Sequence, residues 1–356
     1  MFRSLSNPFV DLRRVSADID PKKICVLHFG QVGDVIMAFA VLDAIRKRFP
    51  DSEIHLVGGK TPASLVGDLN LVDKVIAVDR YRLLRGPKIR SIKEILQIVA
   101  EVRREKFDLV IDLHSLYETN LLGFISGAKQ RLFASRQNRS LDFLSNFRPR
   151  PSKYEPSKHL SEIYHDVVAP LEIKKNSTEF SVTIDESLVR RLQASHFHNV
   201  TKKLAIGIAI GAGHPSRTWD LDKFRDLARR LNAIAGTEIF IFLGPEEEKM
   251  SDQINAEFTG IASIIPGLSL FELAGAFTLL KLFVGNDTGT THLAAAAGIP
   301  VVSITDIRAP ATYSLRGKQT RIVNTNTVAD ISVDDVWRAC SELLAESAEK
   351  KPSKEE

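Results

Sequence analysis

Short apolar runs of strand length alternate along this chain with segments whose apolar residues recur at helical spacing. The first run is Ile24–Phe29, and it is followed by a glycine-containing turn and by helical periodicity over Val35–Phe49. The same order returns later, where a strand predicted over Lys203–Ile210 leads through glycines to a helix predicted over Asp222–Ala235. Strands that alternate with helices predict a parallel sheet covered on both faces, because each crossover helix packs on the sheet. The fold class is therefore α/β.

The remaining apolar segments extend this order into two doubly wound units. Further strands are predicted over 54–57, 74–78, 109–113, 238–243, 261–265, 282–284 and 301–304, and further helices over 92–102, 159–168, 270–280, 289–297 and 332–346. The Arg-, Ser-, Asn- and Pro-rich stretch 129–157 is interpreted as a long functional loop. The predicted division is an N-terminal lead over 1–22, domains over 23–172 and 173–348, and a charged tail over 349–356. In such folds ligands bind at the carboxyl ends of the strands, so we expect the active site in a cleft between the two units.

Composition places the chain among folded globular proteins. Apolar residues make up 44% of the 356 residues and charged residues 26%, which excludes wholesale disorder. The two cysteines, Cys25 and Cys340, are too few for a disulfide framework or a CxxC metal site. Cys25 lies within an apolar run and Cys340 within a helical pattern, so we expect buried thiols in a reducing compartment.

Neither a membrane span nor a secretion signal is predicted. A span needs about 18–20 uninterrupted apolar residues, and the best candidate, 268–284, is interrupted by Glu272 and Lys281. Charged side chains between residues 11 and 14 break the apolar core that a signal peptide requires. We therefore expect a cytoplasmic protein.

Basic residues are concentrated in the first half of the chain. Residues 1–170 contain 27 Lys and Arg against 20 Asp and Glu, whereas residues 171–356 contain 21 against 24. Residues 129–158 alone carry eight basic side chains against two acidic ones. A second basic run contains no acid, and its members are Arg80, Arg82, Arg85, Lys88, Arg90 and Lys93. Either these residues are a solvated surface, or the first half meets something anionic: a phosphorylated substrate, an acidic sugar, a membrane surface or nucleic acid.

The segment Gly30-Gln31-Val32-Gly33-Asp34 directly follows the first predicted strand. Its glycines allow a tight turn and leave room for a ligand at the start of the next helix. The spacing is not GxGxxG, so it does not predict a dinucleotide site. Two interpretations of Asp34 stay open at this point. It is a helix-capping residue, or it is a carboxylate that accepts a proton from an attacking hydroxyl.

Two glycine-containing segments follow predicted strands in the second half. Gly211 and Gly213 turn the chain before Arg217, which suits a diphosphate because backbone N–H groups and a fixed positive charge are both available. Asp287-Thr288-Gly289-Thr290 begins a helix and offers N–H groups and hydroxyls to a phosphate. His292, in the same helix, is a ligand, a proton donor or a buried imidazole. Trp219 is interpreted as a packing residue.

A third segment, Gly244-Pro245, is followed by Glu246, Glu247 and Glu248. A carboxylate just past a strand end can hold the two hydroxyls of a ribose, and we favour Glu247 for that role. Three glutamates in a first helical turn also fit stabilisation of the helix dipole. The sequence has no Walker lysine motif, no HExxH, no GxSxG and no metal-ligand cluster, which argues against an ATPase, a zinc protease and a serine hydrolase.

Taken in order, these segments resemble glycosyltransferase family 9, the bacterial heptosyltransferases of lipopolysaccharide core assembly. The likeness covers about residues 22–345. The matching segments are Gly33-Asp34-Val35, Arg217-Thr218-Trp219, Gly244-Pro245 with its glutamates, and Asp287-Thr288-Gly289 with His292 and the alanine-rich helix that follows. Asn286 and Thr290-Thr291 differ from the family's commonest forms.

The resemblance implies a GT-B architecture of two Rossmann-like doubly wound domains facing across a cleft, with the acceptor on the N-terminal domain and the nucleotide sugar on the C-terminal one. It implies inverting transfer of heptose from ADP-heptose to a lipopolysaccharide inner-core acceptor, Kdo-lipid A or a core heptose, with no cofactor and no catalytic metal. Asp34 matches the catalytic base, Arg217 the phosphate-binding cation and Glu247 the ribose carboxylate. The residues predicted to bind the donor diphosphate are Arg217, Gly211, Gly213, Asp287, Thr288, Gly289, Thr290 and His292.

An anionic glycolipid acceptor would account for the excess of basic residues in the first half of the chain, because Kdo and the phosphates of lipid A are negatively charged. The inner leaflet facing the cytoplasm is negatively charged as well. The residues predicted to bind the acceptor are Gly33, Arg136, Arg139, Arg148 and Arg150. Peripheral contact with the inner face of the inner membrane is predicted on the same grounds.

Three other interpretations account for parts of the sequence. The first is a family member that uses another nucleotide sugar or an acceptor outside lipopolysaccharide. The second is a two-lobed ligand-binding protein without catalysis, which the missing signal peptide and Asp34 disfavour. The third is a nucleic-acid-binding protein, which only the basic patches suggest, since no interleaved aromatic residues or known motif supports it. No nucleic-acid partner is expected.

Overall fold

The strands of the chain form two separate parallel sheets. The computed structural model describes residues 19–136, 139–173, 181–197, 204–265 and 267–349. The chain divides into two compact units, residues 1–178 and residues 179–356, called here the first and the second unit. Each unit contains one of the sheets.

The first unit contains a five-stranded sheet in the order β3-β2-β1-β4-β5. The strands are β1 Lys23–His28, β2 Glu53–Gly59, β3 Lys74–Val78, β4 Leu109–Asp112 and β5 Gln130–Phe133. The helices are α1 Val32–Met37, α2 Phe39–Arg48, α3 Lys60–Asp68, α4 Arg80–Arg85, α5 Lys88–Glu105, α6 Tyr117–Ile125 and α7 Leu160–Val168. All pairings are parallel, and Ile24 of β1 lies between Ile54 of β2 and Leu109 of β4.

The central strands of this sheet are buried on both faces. Cys25, Leu27 and Val110 are fully buried and join Val57 and Phe133 in one apolar cluster. A strand covered by helices on both sides needs apolar residues at consecutive positions, which explains the uninterrupted apolar run of β1.

The second unit contains a six-stranded parallel sheet in the order β11-β10-β9-β6-β7-β8. The strands are β6 Leu204–Ala209, β7 Thr237–Phe242, β8 Ser263–Ile265, β9 Leu282–Asn286, β10 Val301–Asp306 and β11 Thr320–Thr325. The helices are α8 Glu186–His196, α9 Leu221–Asn232, α10 Ser251–Phe258, α11 Leu270–Phe277, α12 Gly289–Ala296 and α13 Val333–Glu349. The predicted α/β class is confirmed in both units.

Trp219 is the largest fully buried side chain of the second unit, and its predicted packing role is confirmed. Its indole ring meets Phe224 edge to face at 4.9 Å between centroids, and Nε1 donates to the Ile331 carbonyl oxygen at 3.0 Å. Both cysteines are buried thiols, as predicted. Burial raises the pKa of the Cys340 thiol to about 12.

Several elements differ from the sequence predictions. The helix predicted over Val35–Phe49 is the pair α1 and α2, which meet at Ala38. The stretch predicted as a loop contains β5, whose Arg131 is a charged residue within a buried strand. The Arg131 guanidinium donates to the carbonyl oxygens of Ala128 and Leu144, at 2.7 and 3.0 Å, and these hydrogen bonds make its burial tolerable.

Five further elements, α3, α4, α6, α8 and β11, are absent from the prediction. The predicted lead lies outside the described residues up to position 18, and the predicted tail lies outside them from position 350. Within the described ranges, no helix combines the length and apolar character that a membrane span requires.

Candidate active site

In the first sheet the order in which the chain adds strands reverses beside β1, and this point is called here the first reversal. The chain proceeds from β1 to β2 and β3 on one side and then crosses to β4 on the other. The carboxyl ends of β1 and β4 therefore border a crevice, the position where open α/β sheets bind ligands. Candidate functional residues are therefore expected in the segments that follow these two strands, 29–34 and 113–116.

Asp34 lies at the third position of α1, beside the end of β1. Its Oδ2 accepts a hydrogen bond from the Gln31 backbone N–H at 2.9 Å, and the side chain is half-exposed. A Cβ on Gly30 would lie 2.6 Å from Asp34 Cβ and 2.7 Å from His28 Cε1, so only glycine fits here. The two interpretations of Asp34 are compatible, because the carboxylate satisfies a free N–H at the helix start and still meets solvent.

His28 is fully buried behind this turn. Its Nδ1 accepts from the Gly30 N–H at 3.3 Å, so the proton of the neutral ring is on Nε2, which donates to the Tyr164 hydroxyl 2.8 Å away. Burial, reinforced by His114, lowers the pKa of His28 to about 3. The imidazole next to Asp34 is therefore neutral at physiological pH.

Asp112, the last residue of β4, organises the other side of the crevice from a fully buried position. Its Oδ1 accepts from the N–H groups of His114 and Ser115 at 3.0 and 2.7 Å, and its Oδ2 accepts from Asn120 Nδ2 at 2.7 Å. Asn120 in turn accepts from the Leu141 N–H at 2.7 Å. Burial raises the pKa of Asp112 to about 6 despite these hydrogen bonds. This network holds the loop after β4 in place.

Two arginines approach the same edge of the sheet. Arg80, the first residue of α4, donates to the Phe29 carbonyl oxygen at 2.6 Å, and Arg136 donates to the His114 carbonyl oxygen at 3.1 Å. Arg136 also lies over the Tyr154 ring, 5.0 Å from its centroid. Burial and the charges of Arg136 and Arg80 lower the pKa of His114 to about 4. Among the described residues, the crevice therefore combines the carboxyl groups of Asp34 and Asp112, two neutral imidazoles and two fixed cations.

The other predicted acceptor residues have different surroundings. Gly33 is half-exposed in α1 beside Asp34, and Arg139 is exposed with a φ of 121°. Arg148 donates to the adjacent Phe147 carbonyl oxygen at 2.6 Å. Arg150 forms an ion pair with Asp142 at 3.6 Å. Arg136 is hydrogen-bonded to the loop after β4.

The second sheet has the same kind of reversal between β6 and β9. Asn286, the last residue of β9, is fully buried there. Its Nδ2 donates to the carbonyl oxygens of Ile210 and Gly211, at 3.0 and 3.1 Å, and its Oδ1 accepts from the Trp219 N–H at 3.0 Å. One amide thus fixes both ends of the loop that carries Gly213 and Arg217.

Glu247 differs from its two neighbouring glutamates. It is half-buried and accepts from the Gly244 N–H at 3.1 Å, and its carboxylate occupies the space that a Cβ on Gly211 would take. Glu246 is paired with Lys249, and Glu248 accepts from the Gly267 N–H at 2.8 Å. Only Glu247 among the three therefore lies against the ends of both β6 and β7.

The segment after β9 presents the start of α12 at this reversal. Thr288 is the N-cap residue of α12. Gly289 and Thr290 form the first turn of the helix, and both residues are half-exposed. Thr291 is buried and donates to the Asn286 carbonyl oxygen at 2.5 Å. His292 is 8% exposed, with Nε2 3.3 Å from Asp287 Oδ1. Among the three interpretations of His292, its burial favours the buried imidazole, with Asp287 beside it.

Gly213 and Arg217 lie on the loop after β6. Gly213 has a φ of +65°, a left-handed conformation that favours glycine. Arg217 ends a short 3-10 turn and is exposed, and its guanidinium has no partner among the residues that the structure describes. A cation held on a turn but left unpaired is available to an anionic ligand.

One group of side chains has the spacing of a metal site. Ligand atoms of Glu53, His55 and Glu105 lie within 4.8 Å of one another. Lys23 and Lys74 pair with Glu105, at 2.7 and 2.5 Å, and lower its pKa to about 2. The two ammonium groups already neutralise these carboxylates. The cluster lies where β1, β2 and β3 begin, at the opposite edge of the sheet from Asp34.

Known proteins match this chain over most of its length. The sequence model of glycosyltransferase family 9 (heptosyltransferase) matches residues 95–334. The chain belongs to glycosyltransferase family 9. The family expected from the sequence motifs is thereby confirmed, and the protein is a glycosyltransferase. Lipopolysaccharide heptosyltransferase 1 of Campylobacter coli is 27% identical over 300 residues, which cover 79% of this chain and 83% of that protein.

Two solved structures show that the family 9 chain has the GT-B fold of two Rossmann-like domains. The glycosyl transferase family 9 structure from Veillonella parvula has a TM-score of 0.78 at 22% identity, covering 93% of this chain and 100% of that one. Escherichia coli heptosyltransferase WaaC with ADP has a TM-score of 0.75 at 18% identity, covering 90% and 99%. The GT-B fold predicted from the resemblance is confirmed.

Sequence reasoning missed several residues at the two reversals of this family 9 chain: Asp112, His114, Asn120, Arg80 and Asn286. Asp112 and Asn286 each end an otherwise apolar strand, and a polar residue at that position was a usable signal. Arg80 was noted only as part of a basic run. Nothing in the sequence indicates that it donates to the turn after β1.

Proposed function

We propose that this chain transfers heptose, with inversion, from ADP-heptose to an acceptor of the lipopolysaccharide inner core, either Kdo-lipid A or a core heptose. Family membership supports the transfer, and a relative named as a lipopolysaccharide heptosyltransferase supports the sugar and the pathway. Solved structures of WaaC with ADP and with ADP-2-deoxy-2-fluoro heptose support ADP as the nucleotide.

The observation that carries the proposal is the half-exposed Asp34 carboxylate at the first reversal, held by the Gln31 N–H. In the proposed step Asp34 takes the proton of the acceptor hydroxyl as that oxygen attacks the anomeric carbon. The new bond forms as the bond from the anomeric carbon to the diphosphate breaks, and ADP leaves. Attack from the opposite face inverts the configuration.

The second unit supplies groups for the departing diphosphate. Arg217 offers an unpaired cation, and the start of α12 offers backbone N–H groups at Gly289 and Thr290. Donors fixed in place before the reaction stabilise developing charge without having to reorganise. Glu247, which lies against Gly211, is proposed to accept hydrogen bonds from the ribose hydroxyls.

Arg80 and Arg136 are proposed to bind the anionic groups of the acceptor. Both guanidiniums hydrogen-bond to backbone carbonyl oxygens of the two loops that border the first crevice. The acceptor role is thus assigned to the domain over 23–172 and the donor role to the domain over 173–348. We propose that the enzyme works at the cytoplasmic face of the inner membrane.

The donor assignment is tested by calorimetric titration with ADP, UDP and GDP. We expect ADP to bind preferentially and Arg217→Ala to weaken it about tenfold or more, the value of one charge-assisted hydrogen bond. Arg229→Ala, which removes an exposed arginine from α9, is the matched control. Preference for UDP or GDP would refute ADP-heptose as donor, and absence of nucleotide binding would refute the transferase assignment of these residues.

The general-base assignment is tested with Asp34→Asn, which retains an oxygen able to accept from Gln31. We expect kcat to fall by about 10²–10⁴ while ADP affinity stays unchanged. The control is Asp43→Asn, which removes a carboxylate of α2 paired with Lys47. Turnover by Asp34→Asn within threefold of the wild type would overturn the assignment.

A further inference from the structure

Helix α5 carries an apolar stripe on a surface where core packing does not need one. Ile89, Ile92 and Leu96 are 83%, 58% and 62% exposed. They are three and four residues apart, so they lie on one face of the helix. Ile95, at the edge of this stripe, is 48% exposed.

The stripe faces away from the core of the first unit. Val102 is the fully buried residue of α5, and Ile98 packs against the cluster that contains Cys25 and Val110. At 100° per residue, Ile98 and Val102 are about 150° and about 110° from the mean direction of Ile89, Ile92 and Leu96. The helix is therefore apolar on two sides, and one of them meets solvent.

The two sides of α5 carry charged residues of opposite sign. Over Lys88–Glu105, all of which the structure describes, the exposed charged residues are cations: Lys88, Arg90, Lys93, Arg103 and Arg104. The three carboxylates are half-buried on the inner side. Glu94 pairs with Arg82 at 2.9 Å, and Glu105 pairs with lysines of the sheet. The outer side of α5 thus combines aliphatic side chains with uncompensated positive charge.

Helix α4 adds to this surface. The Ser91 hydroxyl of α5 donates to the Leu83 carbonyl oxygen at 2.9 Å, which joins the two helices. Tyr81 is 66% exposed, and Arg85 lies over its ring at 4.6 Å and donates to its hydroxyl at 2.8 Å. An aromatic ring with a polar tip is typical of groups that lie at the boundary between lipid and water.

We infer that α5 and α4 form a docking surface for an anionic lipid bilayer. Branched aliphatic side chains flanked by Lys and Arg are what an interfacial helix needs, because the apolar stripe enters the acyl boundary while the cations meet lipid phosphates. A nucleic acid would satisfy the cations and leave the aliphatic stripe in water. This inference rests on the membrane location in the proposed function and names the surface that makes the contact, but it does not depend on the sugar or the nucleotide.

The surface is directly connected to the first crevice. Arg80 begins α4 and donates to the Phe29 carbonyl oxygen in the turn that leads to Asp34. A membrane-bound α4 would therefore bring lipid headgroups within one short helix of the proposed base. If the acceptor is carried by a lipid, docking at this surface restricts the diffusion of the enzyme toward its acceptor to the plane of the membrane.

The test is flotation of the full chain with vesicles. Vesicles of phosphatidylethanolamine and phosphatidylglycerol are compared with vesicles of phosphatidylcholine alone. We expect binding to the anionic vesicles that weakens as salt is raised. Ile92→Ser with Leu96→Ser should reduce partitioning at least tenfold. Ile307→Ser is the apolar control, since Ile307 is 62% exposed in the second unit.

A second pair of variants distinguishes the effect of the positive charge on α5 from the effect of the net charge of the whole chain. Replacing Lys88, Arg90 and Lys93 by Gln should weaken partitioning about fivefold per charge, or about a hundredfold in all. The control replaces three exposed arginines of the second unit by Gln: Arg190, Arg229 and Arg338. Equal losses in both triple variants would overturn the inference, because binding would then follow net charge alone.

Two other results would also overturn it. One is equal flotation with both vesicle types. The other is self-association in ultracentrifugation without lipid that is abolished by Ile92→Ser with Leu96→Ser, since the stripe would then be covered by a second copy of the chain. Heptose transfer to a delipidated acceptor is expected to be unchanged in all these variants. Absence of that transfer in the wild type would count against the proposed function and leave the docking surface standing.

Discussion

The buried imidazole of His28 makes the stability of the first unit depend on pH. In the folded chain the ring is neutral, with Nδ1 occupied by the Gly30 N–H and Nε2 by Tyr164. Protonation would place an uncompensated charge in a fully buried position. The perturbation we consider is a change from pH 8 to pH 5, compared between the wild type and His28→Gln, whose amide can still donate to Tyr164.

The expected size follows from the two pKa values of His28. Burial lowers the pKa from 6.5 to about 3 in the folded chain, so the unfolded chain takes up the proton first as the pH falls. The stability due to the neutral ring is fully present above pH 6.5 and is lost progressively as the pH falls toward 3. At pH 5 the loss is about 2 kcal/mol, since each pKa unit corresponds to about 1.4 kcal/mol.

Urea denaturation followed by circular dichroism at both pH values measures this loss. The difference between wild type and His28→Gln should change by about 2 kcal/mol from pH 8 to pH 5. Asp112 contributes with the opposite sign, because its raised pKa gives stability below pH 3.8 that is lost as the pH rises through about 6. That contribution is common to both chains and cancels.

His214→Gln, which removes an exposed imidazole of the second unit, is the matched control. A pH dependence identical in wild type and His28→Gln would refute the reasoning. So would a proton-NMR titration in which the His28 ring of the folded chain takes up its proton above pH 6.

Two glycine substitutions test the crevices themselves. Gly30→Ala places a methyl group against Asp34 Cβ and His28, atoms with little freedom to move, so we expect a loss of about 1–3 kcal/mol in the free energy of unfolding and a fall in kcat. In Gly211→Ala the atoms nearest to the methyl group are those of the Glu247 carboxylate, which can swing away, so we expect a stability change below about 1 kcal/mol in thermal melts and ADP affinity lowered about tenfold. Unchanged ADP affinity in Gly211→Ala would exclude Glu247 from the ribose site.

The positions of the candidate site residues at the carboxyl edges of the sheets are predictable, because a parallel α/β sheet fixes where residues that follow its strands must lie. Asp34, Gly211 and Asp287 each follow a strand-length apolar run, and such residues gather at the carboxyl edge of a sheet. The choice of Glu247 among three adjacent glutamates was a weaker prediction. Its decisive feature, contact with Gly211, joins residues far apart in sequence.

The buried polar networks could not be predicted from local pattern. Asn286 and Asp112 act through hydrogen bonds to loops that pass them in space, and propensity or periodicity carries no information about such partners. Strand β5 was missed for a related reason, because Arg131 is acceptable in a buried strand only when carbonyl oxygens from Ala128 and Leu144 surround it.

Each unit places a carboxylate where a glycine has no side chain. Asp34 fills the space beside Gly30, and Glu247 fills the space beside Gly211. The two pairs differ, because a Cβ on Gly30 would also meet His28 Cε1, whereas the nearest atoms to a Cβ on Gly211 all belong to the Glu247 carboxylate. A larger residue at position 211 therefore displaces the carboxylate from its place beside β6. Among relatives of this chain, Gly211 and Glu247 are expected to change together or not at all. In a double-mutant cycle, Gly211→Ala should cost nothing further once Glu247→Ala is present.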